Sequence, residues 1–108
     1  MLSLGIMVSC SNKAKDGLYT DGEYANVEFS VSEQTNISHY EIEISPDGKE
    51  YGIGEEFDAS NKAEDFYSKK VRVAEIFKKS DRVNVRIKIV DKDGKFEYYP
   101  QTYWVNRP

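Results

Sequence analysis

His39 is the only histidine in the chain, so it is the only imidazole that could act as a general base near neutral pH. It opens a segment in which Tyr40, Ile42 and Ile44 alternate with polar residues, and its side chain should point away from those three. We therefore predict a solvated surface position for it. The single thiol, Cys10, lies in a different, apolar segment. With no nucleophile placed beside a base, the sequence predicts no enzymatic activity.

Metal chemistry has one candidate motif. The segment Asp91-Lys92-Asp93-Gly94 is similar to the start of a calcium-binding loop, which also requires a glutamate at its twelfth position. Counting from Asp91, that position is Thr102, so a hairpin turn is the favoured interpretation. Zinc sites need clusters of cysteine and histidine, which one residue of each cannot supply. The acidic residues at 55, 56 and 58 are interpreted as a solvated loop, and we expect no metal and no cofactor.

Composition restricts the class of partner. The chain has 108 residues, which suggests one domain, and a formal net charge of −4. Lysine and arginine are interleaved with acidic residues, whereas nucleic-acid-binding proteins usually carry a basic face. We therefore expect no nucleic-acid partner. One cysteine allows no internal disulfide, so the domain depends on its core alone.

The first residues are apolar and end at Met7-Val8-Ser9-Cys10, after which the chain becomes polar. This change is typical of a signal-peptide cleavage site. The four residues resemble the lipobox of bacterial lipoproteins, and the resemblance implies cleavage before Cys10 and acylation of its thiol. Ser11 in the next position then implies the outer membrane. The alternative is an ordinary first strand with a buried cysteine.

The resulting domain prediction has three parts. Residues 1–9 are the remnant of a signal peptide, residues 10–22 a lipid-anchored polar tether, and residues 23–108 a β-sandwich. An exported protein attached to the bacterial outer membrane by an N-terminal lipid, and facing the periplasm or the cell surface, is the expected localisation.

Period-two alternation predicts β-strands in at least three places, namely 27–32, 40–44 and 83–90. In the last of these, Val83, Val85, Ile87 and Ile89 should share the buried face. Pro46-Asp47-Gly48-Lys49 and the segment around Gly94 predict turns. Residues 61–80 fit both a helical stripe and a strand, and we favour a strand at about 68–74 followed by a short helical turn near 75–79.

Two segments resemble fibronectin type III domains. Residues 37–49 look like the third strand and the turn after it, and residues 83–91 look like the sixth strand with its aliphatic-Arg-aliphatic rhythm. The resemblance implies an all-β, antiparallel two-sheet sandwich of about seven strands, immunoglobulin-like or fibronectin type III-like. The family usually has a tryptophan in its second strand, and the resemblance implies that Phe29 or Val31 fills that space here. At the position of Val83 the family usually has a tyrosine.

The C-terminal segment is rich in aromatic residues, and it carries the functional prediction. Alternation can bury Phe96 and Tyr98, in which case Tyr99 should face the other way. If exposed, Tyr99, Tyr103 and Trp104 could bind a ligand by stacking, whereas the alternative is that they cap the sandwich. The chain is thus predicted to be a non-catalytic envelope lipoprotein that acts as a protein-interaction or structural β-sandwich module. The alternative is a small carbohydrate-binding domain that uses these C-terminal aromatic residues to hold a glycan.

Overall fold

The computed structural model describes residues 6–8, 18–99 and 102–108, with the backbone alone at 6–8 and 18–19. Nine strands and one short helix lie in these ranges. They are β1 Ile6–Val8, β2 Leu18–Thr20, β3 Tyr24–Val31, β4 Ile37–Ser45, β5 Gly52–Asp58, β6 Asp65–Arg72, α1 Ala74–Phe77, β7 Arg82–Asp91, β8 Phe96–Tyr98 and β9 Tyr103–Asn106. None of the described helices is long and apolar enough to cross a membrane.

The strands form two antiparallel sheets. In the first sheet, β3 pairs with β6 on one side, while β1 and β2 follow one another along its other side. In the second sheet the order is β5-β4-β7, and β8 and β9 share the remaining side of β7. If two strands that lie end to end along the same neighbour are counted as one, the first sheet has three strands and the second has four. The prediction of an all-β, two-sheet antiparallel fold with about seven strands is confirmed at this level.

The ambiguous segment 61–80 contains both predicted elements in the favoured order. Strand β6 places Tyr67 and Val71 in the core on alternate positions, and α1 follows directly with Phe77 buried. The competing helical stripe fails because it includes Phe66, which lies on the opposite side of the strand and is exposed. Residues three or four apart share a helix face, but neighbouring residues of a strand do not.

The core has an aliphatic part and an aromatic part. As predicted, the four alternating residues of β7 are buried, and Phe29 and Val31 are buried as well. At one end, four rings pack against each other with centroids 5.1–6.1 Å apart, two from each sheet: Phe29, Tyr40, Phe57 and Tyr67. Such edge and tilted contacts add specific geometry to the burial of apolar surface that holds the two sheets together.

A buried glutamine lies above this aromatic cluster. Gln34, in the β3–β4 loop, is 2% exposed, and its Oε1 accepts hydrogen bonds from the hydroxyls of Tyr40 (2.8 Å) and Tyr67 (2.7 Å). Its Nε2 donates to Ser60 Oγ at 2.8 Å and to the carbonyl oxygen of Lys62 at 2.7 Å. One side chain thereby joins both sheets to the β5–β6 loop, with all of its polar capacity used.

The turn after β4 is built as the sequence predicts. Gly48 has a φ of 76°, and the carboxylate of Asp47 accepts hydrogen bonds from the backbone N–H groups of Lys49 (2.8 Å) and Glu50 (3.1 Å). The hydroxyl of Ser45 donates to the same carboxylate oxygen. These bonds, of which the one from Glu50 contributes most, lower the pKa of Asp47 to about 2. An Asx turn of this kind stabilises the ionised form of the side chain.

The low pKa of Asp47 predicts a loss of stability in acid. Because the folded pKa lies below the unfolded value of about 3.9, the stabilisation is complete above that value and is lost as the pH falls through about 2. We expect the Asp47→Ala variant to lose less stability than the wild-type chain between pH 4 and 2, measured by denaturant unfolding. Asp93→Ala, which removes an exposed carboxylate, is the control and should retain the wild-type dependence.

The N-terminal predictions lie mostly outside the described residues, which leave out 1–5 and 9–17 and therefore Cys10 and Ser11. Strand β1 pairs with residues 29–31 of β3, and β2 pairs with residues 25–27. The first sheet therefore includes residues from both the predicted leader (1–9) and the predicted tether (10–22). Cleavage before Cys10 would remove β1 and expose that part of the β3 edge, whereas β2 would stay in place.

Candidate functional site

His39 is hydrogen-bonded to two neighbouring side chains on its own strand. His39 lies on the outer side of β4, opposite Tyr40 as predicted, but it is half-buried rather than fully solvated. Its Nε2 is 3.0 Å from a carboxylate oxygen of Glu41, and its Nδ1 is 3.2 Å from Ser38 Oγ. Acyl transfer also needs amide donors for an oxyanion. The nearby N–H of Ala59 already donates to the carbonyl oxygen of Ser38.

Residues 91–94, which resemble the start of a calcium-binding loop, form a hairpin turn, as the sequence predicts. A carboxylate oxygen of Asp91 accepts the N–H groups of Asp93 (2.9 Å) and Lys95 (3.0 Å). Gly94, with a φ of 85°, completes a three-residue loop. Within the described parts of the chain, there is no group of three or more histidine, cysteine, aspartate or glutamate side chains that could hold a metal ion.

The outer side of the second sheet carries a set of aromatic and cationic side chains, which we call the aromatic–cation face. Strand β7 contributes the cations, because the residues between its buried positions alternate onto this side. Strands β8 and β9 and the residue before β5 contribute the rings. The members are Tyr51, Arg82, Arg86, Lys88, Phe96, Tyr98 and Trp104.

Arg86 is the centre of this face. Its guanidinium carbon lies 3.6 Å from the ring centroid of Tyr51 and 4.1 Å from that of Tyr98, so the cation is held between two rings. Its Nε donates to a carboxylate oxygen of Glu43 at 2.7 Å, and another nitrogen donates to the Tyr98 hydroxyl at 3.2 Å. The planar guanidinium suits both stacking and hydrogen bonding. The hydroxyl of Tyr51 also donates to Asn84, so Tyr51 is fixed at both ends of its ring.

Two further cations lie on either side of this centre. The guanidinium carbon of Arg82 is 3.9 Å from the ring centroid of Trp104, and Lys88 Nζ is 4.2 Å from that of Phe96. Within the described residues neither cation has a carboxylate partner. Phe96 is 57% exposed and Trp104 41% exposed, so both rings remain accessible beside a positive charge. The face therefore combines apolar area with two cations that form no ion pair in the described residues, although Glu41 of β4 lies opposite Lys88 in the sheet.

Phe96 and Tyr98 do not lie in the core, where alternation could have placed them: Phe96 is exposed and Tyr98 is half-buried. A two-residue hairpin loop around Asp93 and Gly94 would have paired Phe96 with the buried residue Asp91. The loop instead has three residues, and Phe96 pairs with Val90 while Tyr98 pairs with Lys88. This shift of one residue turns both rings onto the outer side of the sheet.

The three residues predicted to bind a ligand do not share one surface. Tyr99 and Tyr103 stack on each other at a centroid distance of 6.3 Å, and both pack against the core. Trp104 lies on the outer side, where its strand neighbour in β7 is Asn84. Of the three, only Trp104 belongs to the aromatic–cation face. Phe96, the other exposed ring of this face, was not among the predicted site residues, because the sequence does not predict the strand register that exposes it.

Removing the central guanidinium should destabilise the domain. Arg86→Ala leaves the carboxylate of Glu43, whose side chain is 10% exposed, without its cation and two rings without their partner. We expect the free energy of unfolding to fall by about 2 kcal/mol, measured by urea denaturation. Lys88→Ala, on the same strand but contacting one exposed ring, should change it by less than about 0.5 kcal/mol. Equal effects of the two variants would contradict the central role of Arg86.

Comparison with known proteins gives no assignment: the chain matches no protein-family profile, no curated protein and no solved structure. A functional proposal therefore depends on the geometry of this chain.

Proposed function

We propose that this chain is a non-catalytic module of the bacterial cell envelope that binds a partner protein through its aromatic–cation face. The observation that carries the proposal is the pair of exposed rings, Phe96 and Trp104, each in contact with a cation that has no carboxylate partner in the described residues. Tyrosine, tryptophan, phenylalanine and arginine are the residues enriched at protein interfaces.

The face is also ordered in advance of binding. Tyr51, Arg86 and Tyr98 are fixed by stacking and by hydrogen bonds to Asn84 and Glu43. Side chains that are already immobile lose little conformational entropy when a partner arrives. These three side chains can therefore contact a partner in the conformation that they already hold, as the anchor residues of protein interfaces do.

The charges indicate the chemistry of the partner. Although the chain has a net charge of −4, this face presents the exposed Arg82 and the half-buried Lys88, neither of which forms an ion pair in the described residues. We infer a partner surface that offers carboxylates around an apolar centre. The complementary charge would speed association and set orientation, while the rings would provide the buried area.

The strand order supports the finer assignment of the fold to the immunoglobulin-like class, and to the fibronectin type III arrangement in particular. That arrangement has seven strands, three in one sheet and four in the other, and its third and fourth strands along the chain are neighbours. If β1 and β2 are counted together as the first strand, β4 and β5 are the third and fourth. Here β5 lies beside β4 in the second sheet, and β6 returns to the first. Folds of this class carry many functions, so the proposal of partner binding depends on the face and not on the fold.

A pair of surface variants tests the interaction. Envelope complexes from the native host, solubilised in mild detergent, would be separated by native electrophoresis and probed for this chain. We expect the wild-type chain to migrate in a complex and the Phe96→Ser/Trp104→Ser variant to migrate alone. Phe66→Ser, which removes an exposed ring from the outer side of the other sheet, is the control and should leave the complex intact. Loss of the complex in the control alone would contradict the proposal.

The proposed anchor has a separate test. We propose that the mature chain begins at Cys10 and carries acyl groups that hold it in the outer membrane, as the resemblance to the lipobox implies. Intact mass of the membrane-fractionated protein should then correspond to residues 10–108 plus the lipid. A soluble chain that keeps Met1 and a free Cys10 would contradict the anchor, and it would agree with β1 as a permanent strand.

Carbohydrate binding is the second candidate, and it is favoured by one observation, the exposed ring of Trp104. A flat sugar-binding platform would need further coplanar rings, but Tyr99 and Tyr103 pack against the core. A glycan array read with wild-type and Trp104→Ala chains distinguishes the two functions. Binding that depends on Trp104 would favour the carbohydrate function.

A further inference from the structure

A concavity of about 510 Å³ lies at one end of the sandwich, and none of its lining residues belongs to the aromatic–cation face. It is formed by the β3–β4 loop with the start of β4, the β5–β6 loop with the end of β5, and the turn after β7. The polar side chains around it are Thr35, Ser38, Asp58, Asn61, Lys62 and Lys92. Three separate loops therefore contribute to one surface, as at many ligand sites on rigid scaffolds.

The floor of this concavity is fixed. Gln34 lies there with both its oxygen and its nitrogen engaged in hydrogen bonds, and Ser60 accepts one of them. The backbone adds three links between the loops: the N–H of Gln34 donates to Ala63, that of Ala59 to Ser38, and that of Lys92 to Asn36. The shape of the concavity is thus determined by the folded chain before any ligand arrives.

The rim of the concavity, in contrast to its floor, carries polar side chains that are not held by hydrogen bonds within the described part of the protein. Among the described residues, the side chains of five lining residues form neither a hydrogen bond nor an ion pair, namely Thr35, Asp58, Asn61, Lys62 and Lys92. Lys62 also lies near Asp65, where the hydrogen bond from Ser60 and then the charge of Lys62 lower the pKa of that carboxyl. Two lysines from different loops, Lys62 and Lys92, thus line the concavity together with an aspartate, an asparagine and a threonine. Apolar surface is limited to Ile37 and Ala59, so the concavity does not suit a hydrophobic ligand.

We propose that this concavity binds a small hydroxylated anion of the sugar-acid class. The carboxylate of such a ligand would lie between Lys62 and Lys92, and its hydroxyls would donate to Asp58 and exchange hydrogen bonds with Thr35 and Asn61. This site is distinct from the partner-binding face, so either can exist without the other. A neutral sugar would lack the charge that the two lysines recognise, and a simple carboxylate would leave the three other groups without a partner.

An NMR titration tests the proposal directly. The folded chain, labelled with ¹⁵N, would be titrated with glucuronate, with glucose and with acetate at constant ionic strength. We expect glucuronate to shift the amide signals of Thr35, Asn61, Lys62 and Lys92 with a Kd in the millimolar range, and the other two compounds to bind at least several-fold more weakly. No shift with glucuronate would overturn the proposal, as would equal shifts with acetate or shifts confined to Phe96 and Trp104.

Variants distinguish this site from general attraction of anions. The Lys62→Ala/Lys92→Ala double variant should bind glucuronate roughly tenfold more weakly. Lys79→Ala removes an exposed lysine at a distance from the rim and should leave binding unchanged. Both variants change exposed side chains only, so their spectra should otherwise overlay that of the wild type. An equal loss in the double variant and the control would overturn the proposal.

Discussion

Replacing Gln34 with leucine is expected to lower the free energy of unfolding by about 3 kcal/mol. The substitution keeps most of the volume but removes the acceptor of two hydroxyls, those of Tyr40 and Tyr67. Burial, reinforced by the neighbouring Tyr67, raises the pKa of Tyr40. The phenol therefore stays protonated and would remain a buried donor without a partner. Urea denaturation at neutral pH measures the loss.

A double-mutant cycle makes this prediction specific to the hydrogen bond. Tyr40→Phe alone should cost about 1 kcal/mol, because it leaves one lone pair of Gln34 unused. In the Gln34→Leu background the same change should be neutral or stabilising, since it removes the unpaired hydroxyl. Additive effects of the two substitutions would mean that the contact between Gln34 and Tyr40 does not stabilise the domain.

Gly54→Ala is expected to destabilise the domain by about 2 kcal/mol through steric conflict. Gly54 lies where β5 passes the other sheet, and a Cβ there would come within 2.3 Å of Val71 Cγ1. Val71 is fully buried in β6, and its β-branched side chain has few alternative rotamers with which to avoid the contact. No positive φ is involved, so the requirement for glycine at this position comes from the close approach of the two sheets.

Gly52→Ala in the same strand provides the matched control, because a Cβ at Gly52 meets nothing within 4 Å. That variant should be neutral or slightly more stable. Combining Gly54→Ala with Val71→Ala removes the clashing methyl group, so the double variant should lose less stability than the sum of the two single variants. Equal effects of the two glycine substitutions in thermal or urea unfolding would contradict the steric explanation.

The parts of the fold that the sequence predicts well depend on local patterns. The alternation in β7 identifies its buried face because each step along a strand reverses the side chain. The turns at Asp47 and Gly94 follow from residues whose side chains or backbone freedom fit a turn. The strand in residues 61–80 was harder to identify, since a short apolar pattern fits both periods.

The candidate site depends on register, which local patterns do not determine. The alternation of Arg82, Arg86 and Lys88 with buried residues places these cations on one side of β7. Which rings they meet depends on whether the β7–β8 loop has two residues or three. The hydrogen bonds of Gln34 were missed for a related reason. Its partners are contributed by β4, β6 and the β5–β6 loop, which only the assembled sandwich brings together.

Site-specific photo-crosslinking in living cells tests the central claim most directly. A photoreactive amino acid at Asn106 would lie beside Arg82 on the outer side of the second sheet, and one at Ser68 would lie on the outer side of the first. The account predicts a discrete cross-linked product from position 106, its loss in the Phe96→Ser/Trp104→Ser background, and none from position 68. A product from position 68 alone, or one from position 106 that survives loss of both rings, would contradict partner binding through the aromatic–cation face.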